Sequence, residues 1–224
     1  MLLLRQQLSL DAYIHSLGPA AWFLKGQGQT VTGSGVSQWD DLSGNGRHLL
    51  QGTDAARPAL QADGSVLFNG TSHYLKCNAF TLNQPTCVLM VVKQVSWTAG
   101  DAFFDGNSLN AGSLAQQTAS TSPRIQLYAG ASGVSNNTNL AVGSVGVVSS
   151  LFNGGSSLLQ VNKTAATTGN AGTNNMGGFT LGATGTPSGY SHIQVYETVI
   201  FPIAPSTAQL DRLVAGLMAR HGVA

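Results

Sequence analysis

The chain has 224 residues and a formal net charge of +1, with 8% charged and 42% hydrophobic residues. That length suits one domain, and the apolar share excludes a disordered chain. The ten Lys and Arg residues are scattered singly, which excludes a basic nucleic-acid-binding stripe, and no apolar run approaches the roughly 20 residues of a membrane span.

The chain opens with MLLLRQQLSL. Its only apolar run is Leu2 to Leu4, short of the roughly 7–15 residues in a secretory signal, so synthesis in the cytoplasm without a signal peptide is expected. Residues 1–19 read as an arm with a short helix. Ser9 caps it, Leu10, Tyr13, Ile14 and Leu17 share one face, and Gly18-Pro19 ends it. A strand follows near Ala20 to Leu24, and residues 20–224 form the main domain.

The densest stretch is VSQWDDLSGNGRHLLQ, Val36 to Gln51. Trp39 reads as a core anchor whose indole N–H needs a partner. Asp40 or Asp41, with Ser43, caps a bend through side-chain to backbone bonds. Gly44-Asn45-Gly46 supplies the positive φ angles of a tight turn, and His48 is a turn-side polar group.

Short strand candidates then alternate with turn clusters. SVLFNGTSHYLKC breaks at Asn69-Gly70, a hairpin signal. TCVLMVVKQVSW is a continuous apolar run suited to a strand buried on both faces. AFFDG, RIQLYAG, VGVVSSLFNG, SSLLQVNKT, GGFTLGA and SHIQVYETVIF continue the series, and Ala166 to Gly178 reads as a loop. Cys77 and Cys87 read as small buried hydrophobes, with a cross-strand disulfide as the alternative. The end is an amphipathic helix over 206–221. Ser206 and Gln209 form a capping box, Leu210, Leu213, Val214, Leu217 and Met218 make one stripe, and Gly222 stops it. The fold class expected is all-β: a two-sheet antiparallel sandwich, or jelly roll, flanked by a short N-terminal helix and a C-terminal helix.

Three stretches together resemble the concanavalin A-like lectin/glucanase superfamily, in its laminin-G-like jelly-roll branch. They are Ala20 to Leu60 with VLFNGTSHYL, then SSLFNGGSSLLQVNKTA, then FTLGATGTPSGYSHIQVYETVIF with the terminal helix. Within the first, Trp39, Asp40, Ser43, Gly44, Asn45 and Gly46 serve as a structural signature. The middle stretch is similar to that branch's strand–Asn-Gly–strand hairpin. The resemblance implies a lectin-like domain of the kind found in bacterial surface proteins and in bacteriophage tail, fibre and decoration proteins.

No catalytic residue is assigned. The clustered Glu-x-Asp-x-Glu strand of some glycosidases on this fold is missing, since Glu197 has no acidic partner two or four positions away. His192, Gln194 and Tyr196 share a strand face, as lyase groups do, but read as a half-polar strand. DAFFDGNSLN gathers Asp101, Asp105, Asn107 and Asn110 behind Trp97. It is the best local cluster for calcium, through Asp101 and Asp105, or for a glycan, through Trp97, Asp105 and Asn107. Tyr128 and Tyr190, beside glycine-rich loops, are further glycan-platform candidates. No cofactor is expected otherwise.

The expectation is a non-enzymatic bacteriophage virion structural protein: a capsid decoration, fibre or receptor-binding subunit. Other virion proteins, cell-surface polysaccharide and further copies of the chain would be its partners, with the virion as its location. The alternatives are a carbohydrate-binding module of a bacterial surface or secreted system, placed at the cell surface, and a polysaccharide lyase.

Overall fold

A computed structural model describes residues 8–117, 123–131 and 136–224. The first seven residues of the expected arm lie outside them. Helix α1 (Leu10–Ser16) is capped by Ser9, whose hydroxyl accepts the Ala12 N–H. The strands that follow are β1 (Ala21–Leu24), β2 (Gln29–Thr32), β3 (Gly35–Trp39), β4 (Leu49–Leu50), β5 (Ala59–Leu60) and β6 (Val66–Leu67). Next come β7 (Leu75–Lys76), β8 (Thr86–Gln94), β9 (Ala102–Asp105), β10 (Ser113–Gln116), β11 (Ile125–Tyr128) and β12 (Asn136–Asn137). The chain closes with β13 (Val145–Phe152), β14 (Ser157–Val161), β15 (Thr167–Gly169), β16 (Thr180–Leu181), β17 (Ile193–Phe201) and helix α2 (Thr207–His221).

These strands build an antiparallel sandwich. The first sheet runs β15-β14-β13-β8-β17-β6-β5, with β1 also paired to β17, and the second runs β12-β11-β10-β9-β16-β7-β4-β3-β2. The long strand β8 shows why its sequence is apolar throughout. Val88, Met90 and Val92 point into the core between the sheets. Cys87, Leu89 and Val91 point the other way, into a second apolar layer under the helices. The period of two thus serves two cores at once.

Helix α2 closes that second layer. Leu210, Leu213, Val214 and Leu217 are buried on it, each contributing roughly 1.5–3 kcal/mol. Ser206 and Gln209 form the expected capping box, and Gly222 ends the helix at φ 63°. Glu197 on β17 locks the helix down. Its carboxylate accepts from Trp22 Nε1 at 2.8 Å, Arg220 at 2.8 Å and His221 Nε2 at 2.7 Å. From α1, Ile14 is buried in the same layer.

Two sequence expectations change, and the reading of the two cysteines as small buried hydrophobes stands. Asn69-Gly70 does not close a hairpin, because β6 and β7 belong to different sheets. Asn69 Oδ1 instead gathers the N–H groups of Thr71, Ser72 and His73 as the chain crosses the sandwich. The Ala166–Gly178 segment carries an edge strand, β15. Cys77 and Cys87 are both free, the first in the core between the sheets and the second in the outer layer.

The Val36–Gln51 stretch folds as scaffold. Trp39 is fully buried, packs 6.0 Å from Phe23 and donates its indole N–H to Leu24 O at 3.2 Å. Of the two aspartates, Asp41 organises the bend: its oxygens accept from Trp22 N, Ser43 N, Ser43 Oγ and Arg47 N. Gly44 and Gly46 have φ of 88° and 69°.

Candidate functional site

Both helices pack over the first sheet, so the outward face of the second sheet is left to loops and solvent, and Ser113, Asp105 and Thr180 on it are buried. Strand register places one row across it. Tyr128 pairs Ser113, Asp105 pairs Thr180, Thr180 pairs Lys76, Lys76 pairs Leu50, and Leu50 pairs Gln38. The inward neighbours are Phe104, Leu181, Leu75 and Trp39, all fully buried.

Of the sequence candidates, Asp105, Asn107 and Tyr128 belong to this face, with a specific division of labour. Asp105 is fully buried, and its carboxylate accepts four backbone N–H groups: Gly106, Asn110, Gly112 and Gly185, at 2.8–3.1 Å. Burial pushes its pKa up, against the downward pull of those four donors. Its oxygens are committed to folding the 106–112 loop over the sheet. Lys76 Nζ braces the same loop by donating to Asn107 O and Gly185 O at 2.8 and 2.7 Å. The fit there is tight: a Cβ on Gly185 would lie 2.3 Å from Ser108 O. Asn107 and Tyr128 are half-buried.

Trp97, Asp101 and Tyr190 lie at the opposite end of β9, with Trp97 toward β11 and Tyr190 on the other side of β9. Strand rise separates Asp101 from Asp105 by about 13 Å, too far to share one calcium ion, and beyond the roughly 5–9.5 Å of a glycosidase carboxylate pair. Among the described residues no group of three His, Cys, Asp or Glu side chains is placed to hold a metal ion.

This rim is built from three loops. Gln116 accepts Gly100 N with its backbone and Thr98 N with its side chain, which fixes the turn before β9. Trp97 is half-buried and donates to Arg124 O. Ala102 bridges Tyr190 in parallel register and donates its N–H to Gly189 O. The Tyr190 ring lies 6.4 Å from that of Tyr74, tilted at 42°, and its hydroxyl donates to Pro187 O. Gly70 packs on His192, where a Cβ would come within 2.9 Å of the His192 Cβ, and His192 Nδ1 lies 3.3 Å from Ser96 Oγ.

Burial at this rim disfavours charge. Burial pushes Asp101 up to about 6, with a hydrogen bond to Thr98 pulling the other way. Burial likewise lowers the pKa of His73, next to Tyr74. His73 Nδ1 and Ser191 Oγ are buried without a hydrogen-bond partner among the described residues, an arrangement that folded proteins mostly avoid. Sequence reasoning missed Tyr74, His73 and Ser191. Their only signal was the HY and YSH pairs in two loops that nothing local connects.

The strand-face trio is not part of the rim as a unit. Gln194 Nε2 donates to Ser65 Oγ, and Tyr196 stacks under Lys25 Nζ and beside His221. Only His192 reaches the rim loops. Among the described residues no helix is long and apolar enough to cross a membrane.

No protein-family model and no curated protein matches the chain in sequence. Solved structures do match in shape. Trypanosoma rangeli sialidase superposes with a TM-score of 0.63 at 12% identity, covering 88% of this chain and 32% of the sialidase. An arabinofuranosidase complexed with arabinofuranosyl-α-1,2-xylobiose superposes with a TM-score of 0.62 at 14% identity, covering 90% of this chain and 59% of that one. The chain therefore spans about a third of one relative and about three fifths of the other. At such identities the likeness establishes the β-sandwich fold. The finding also corrects two sequence expectations, the non-enzymatic virion structural protein and the absence of enzyme activity: the solved structures matched here are glycosidases, not virion proteins.

Proposed function

We propose that this chain is a carbohydrate-recognition sandwich of a glycan-processing protein, laminin-G-like in type, that holds a saccharide at the rim formed by Tyr74, Tyr190, Trp97 and Asp101. One observation carries the reading. Two half-buried tyrosines stand 6.4 Å apart on loops shared with buried, unpartnered polar atoms of His73 and Ser191, and strand register sets Tyr190 beside Ala102, next to Asp101. Sugars are bound this way, with an apolar ring face against an aromatic and hydroxyls met by a few fixed polar groups. Support comes from the fold, which is shared with a sialidase solved with sialic acid and with the arabinofuranosidase complex. A cell-surface or extracellular polysaccharide is the partner this implies.

A glycan array with and without calcium tests it, followed by titration of the best ligand. Tyr190→Ala should weaken binding about tenfold, or 1.4 kcal/mol, at unchanged melting temperature. A blank array, or a ligand indifferent to Tyr190, Tyr74 and Trp97 alike, sinks the reading.

One observation favours a different reading, hydrolysis. A carboxyl with pKa about 6 is protonated where a general acid must be. Asp101 would then donate a proton to a glycosidic oxygen. Release of new reducing ends that falls as pH rises past 6, and is lost in Asp101→Asn, is the expected result. Activity that survives this substitution removes Asp101 from the chemistry.

A further inference from the structure

The structure carries another concave site, away from the rim, at the edge of the sheet where the Val36–Gln51 stretch turns. It is a hollow of about 230 Å³, lined by Asn45, Arg47, His48, Leu50, Asn78 and Phe80. That volume lies just under the roughly 300–1,000 Å³ of drug-sized ligand sites, which suits one sugar ring. Leu50 also borders a wider hollow of about 510 Å³, lined by hydroxyl and amide side chains such as Thr30, Ser37, Gln38 and Gln51 and by Arg57, whose charge is met by Asp54. The two hollows meet at Leu50, and a chain of several sugar units would continue from one into the other.

The smaller hollow carries one cation, Arg47, which is held rigid, with Asp40 set 3.2 Å from His48 Nδ1 at its border. The Arg47 guanidinium lies 4.1 Å from the centre of the Phe80 ring and donates to Ala20 O at 2.8 Å. The backbone around it is pinned on both sides, with Arg47 N donating to Asp41 and Cys77 Sγ donating to Arg47 O. The ion pairs of the described residues leave Arg47 without a carboxylate. His48 Nδ1 accepts the Asp41 N–H, so the imidazole is fixed as well. A planar, preorganised guanidinium matches a carboxylate, and holding it in place beforehand lowers the entropy lost on binding.

We propose that this hollow binds the carboxylate-bearing ring of an acidic polysaccharide, a uronic-acid unit, with Arg47 receiving the carboxylate and the adjoining hollow receiving neutral neighbours. The proposal rests on the carbohydrate reading but places the charge-selective contact here rather than at the tyrosine rim. Glucuronate and glucose form the matched probe pair, since they differ only in the carboxylate. Each is titrated against the whole chain while the amide and imidazole NMR signals are followed. Glucuronate should shift His48 and Asn78 and bind at least tenfold tighter than glucose, and Arg47→Gln should erase that preference. Asn78→Trp fills the hollow from an exposed position, so it keeps the test valid if Arg47→Gln folds poorly. It should block glucuronate and leave the melting temperature unchanged.

Equal binding of glucose and glucuronate overturns the proposal, as does glucuronate binding that Asn78→Trp leaves intact. Sulfate or phosphate competing as strongly as glucuronate would make this a general anion site and overturn it too. Tyr190→Ala separates the two claims. If glucuronate still shifts His48 in that variant, the groove stands whatever becomes of the rim. If the shifts move with Tyr190 alone, the groove falls and the rim remains.

Discussion

Asp41 and Asp101 are both loop carboxylates on the same sandwich, and their surroundings are opposite. Asp41 is buried, and its two oxygens accept from three backbone N–H groups and one hydroxyl. Asp101 is half-buried, with burial raising its pKa to about 6 and a bond to Thr98 only partly offsetting that. The oxygens of the first carboxylate are taken up by the hydrogen bonds of the fold; the second carboxylate is penalised by burial when it ionises. A residue kept where it weakens the fold points to function rather than architecture. The same contrast separates the two densest polar regions of the sequence: the tryptophan–aspartate bend satisfies its own polar groups, and the tyrosine rim leaves some unsatisfied.

The comparison can be broken at several points. The largest effect is expected at Trp39→Ala, where loss of a fully buried ring should lower stability by about 3–5 kcal/mol in urea denaturation. A soluble variant with wild-type melting would remove Trp39 from the core. Asp41→Ala should come next, at about 3 kcal/mol, because it strands the N–H groups of Trp22, Ser43 and Arg47. If Asp101→Ala were as damaging as Asp41→Ala, the two residues would be the same kind of group and the contrast would fail.

The smallest effect carries the most information, because its sign is reversed. The folded pKa of Asp101, about 6, lies above its ordinary value of 3.8. Its contribution to stability is therefore greatest below about pH 4, falls as pH rises through 6, and is flat above. Asp101→Asn should leave stability unchanged near pH 3.5 and raise it at pH 7, by roughly 1 kcal/mol or less because solvent screens a half-exposed group. Paired denaturation curves at the two pH values decide this, and a loss of stability at pH 7 would contradict the assignment.

What the sequence revealed follows from how local each signal is. The terminal helix was legible to its caps, because Ser206, Gln209, the apolar stripe and Gly222 lie within one element. Strand β8 was legible because burial on both faces leaves an unbroken apolar run. Asn69-Gly70 misled because a turn signal says that the chain bends, not which strand the next one joins. Asp105 resembled a free ligand because nothing in DAFFDGNSLN reveals that its neighbours' N–H groups, and Gly185 from far along the chain, consume both oxygens. The rim was half legible. Trp97, Asp101 and Tyr190 stood out by residue type, but Tyr74 reaches Tyr190 only through the pairing of sheets. The Trp22–Glu197–His221 lock was invisible for the same reason.

Each apolar layer contains one thiol, Cys77 between the sheets and Cys87 beneath the helices, and burial holds both near a pKa of about 12. Neither reacts at a useful rate while enclosed, because the thiolate is the reactive form. Their alkylation rates therefore act as two separate clocks. Transient lifting of α2 exposes Cys87 alone, whereas opening of the sandwich exposes both. If Cys87 labels faster than Cys77, the helical cover breathes independently of the sheets it protects, and the ratio of the two rates measures how much less stable that cover is.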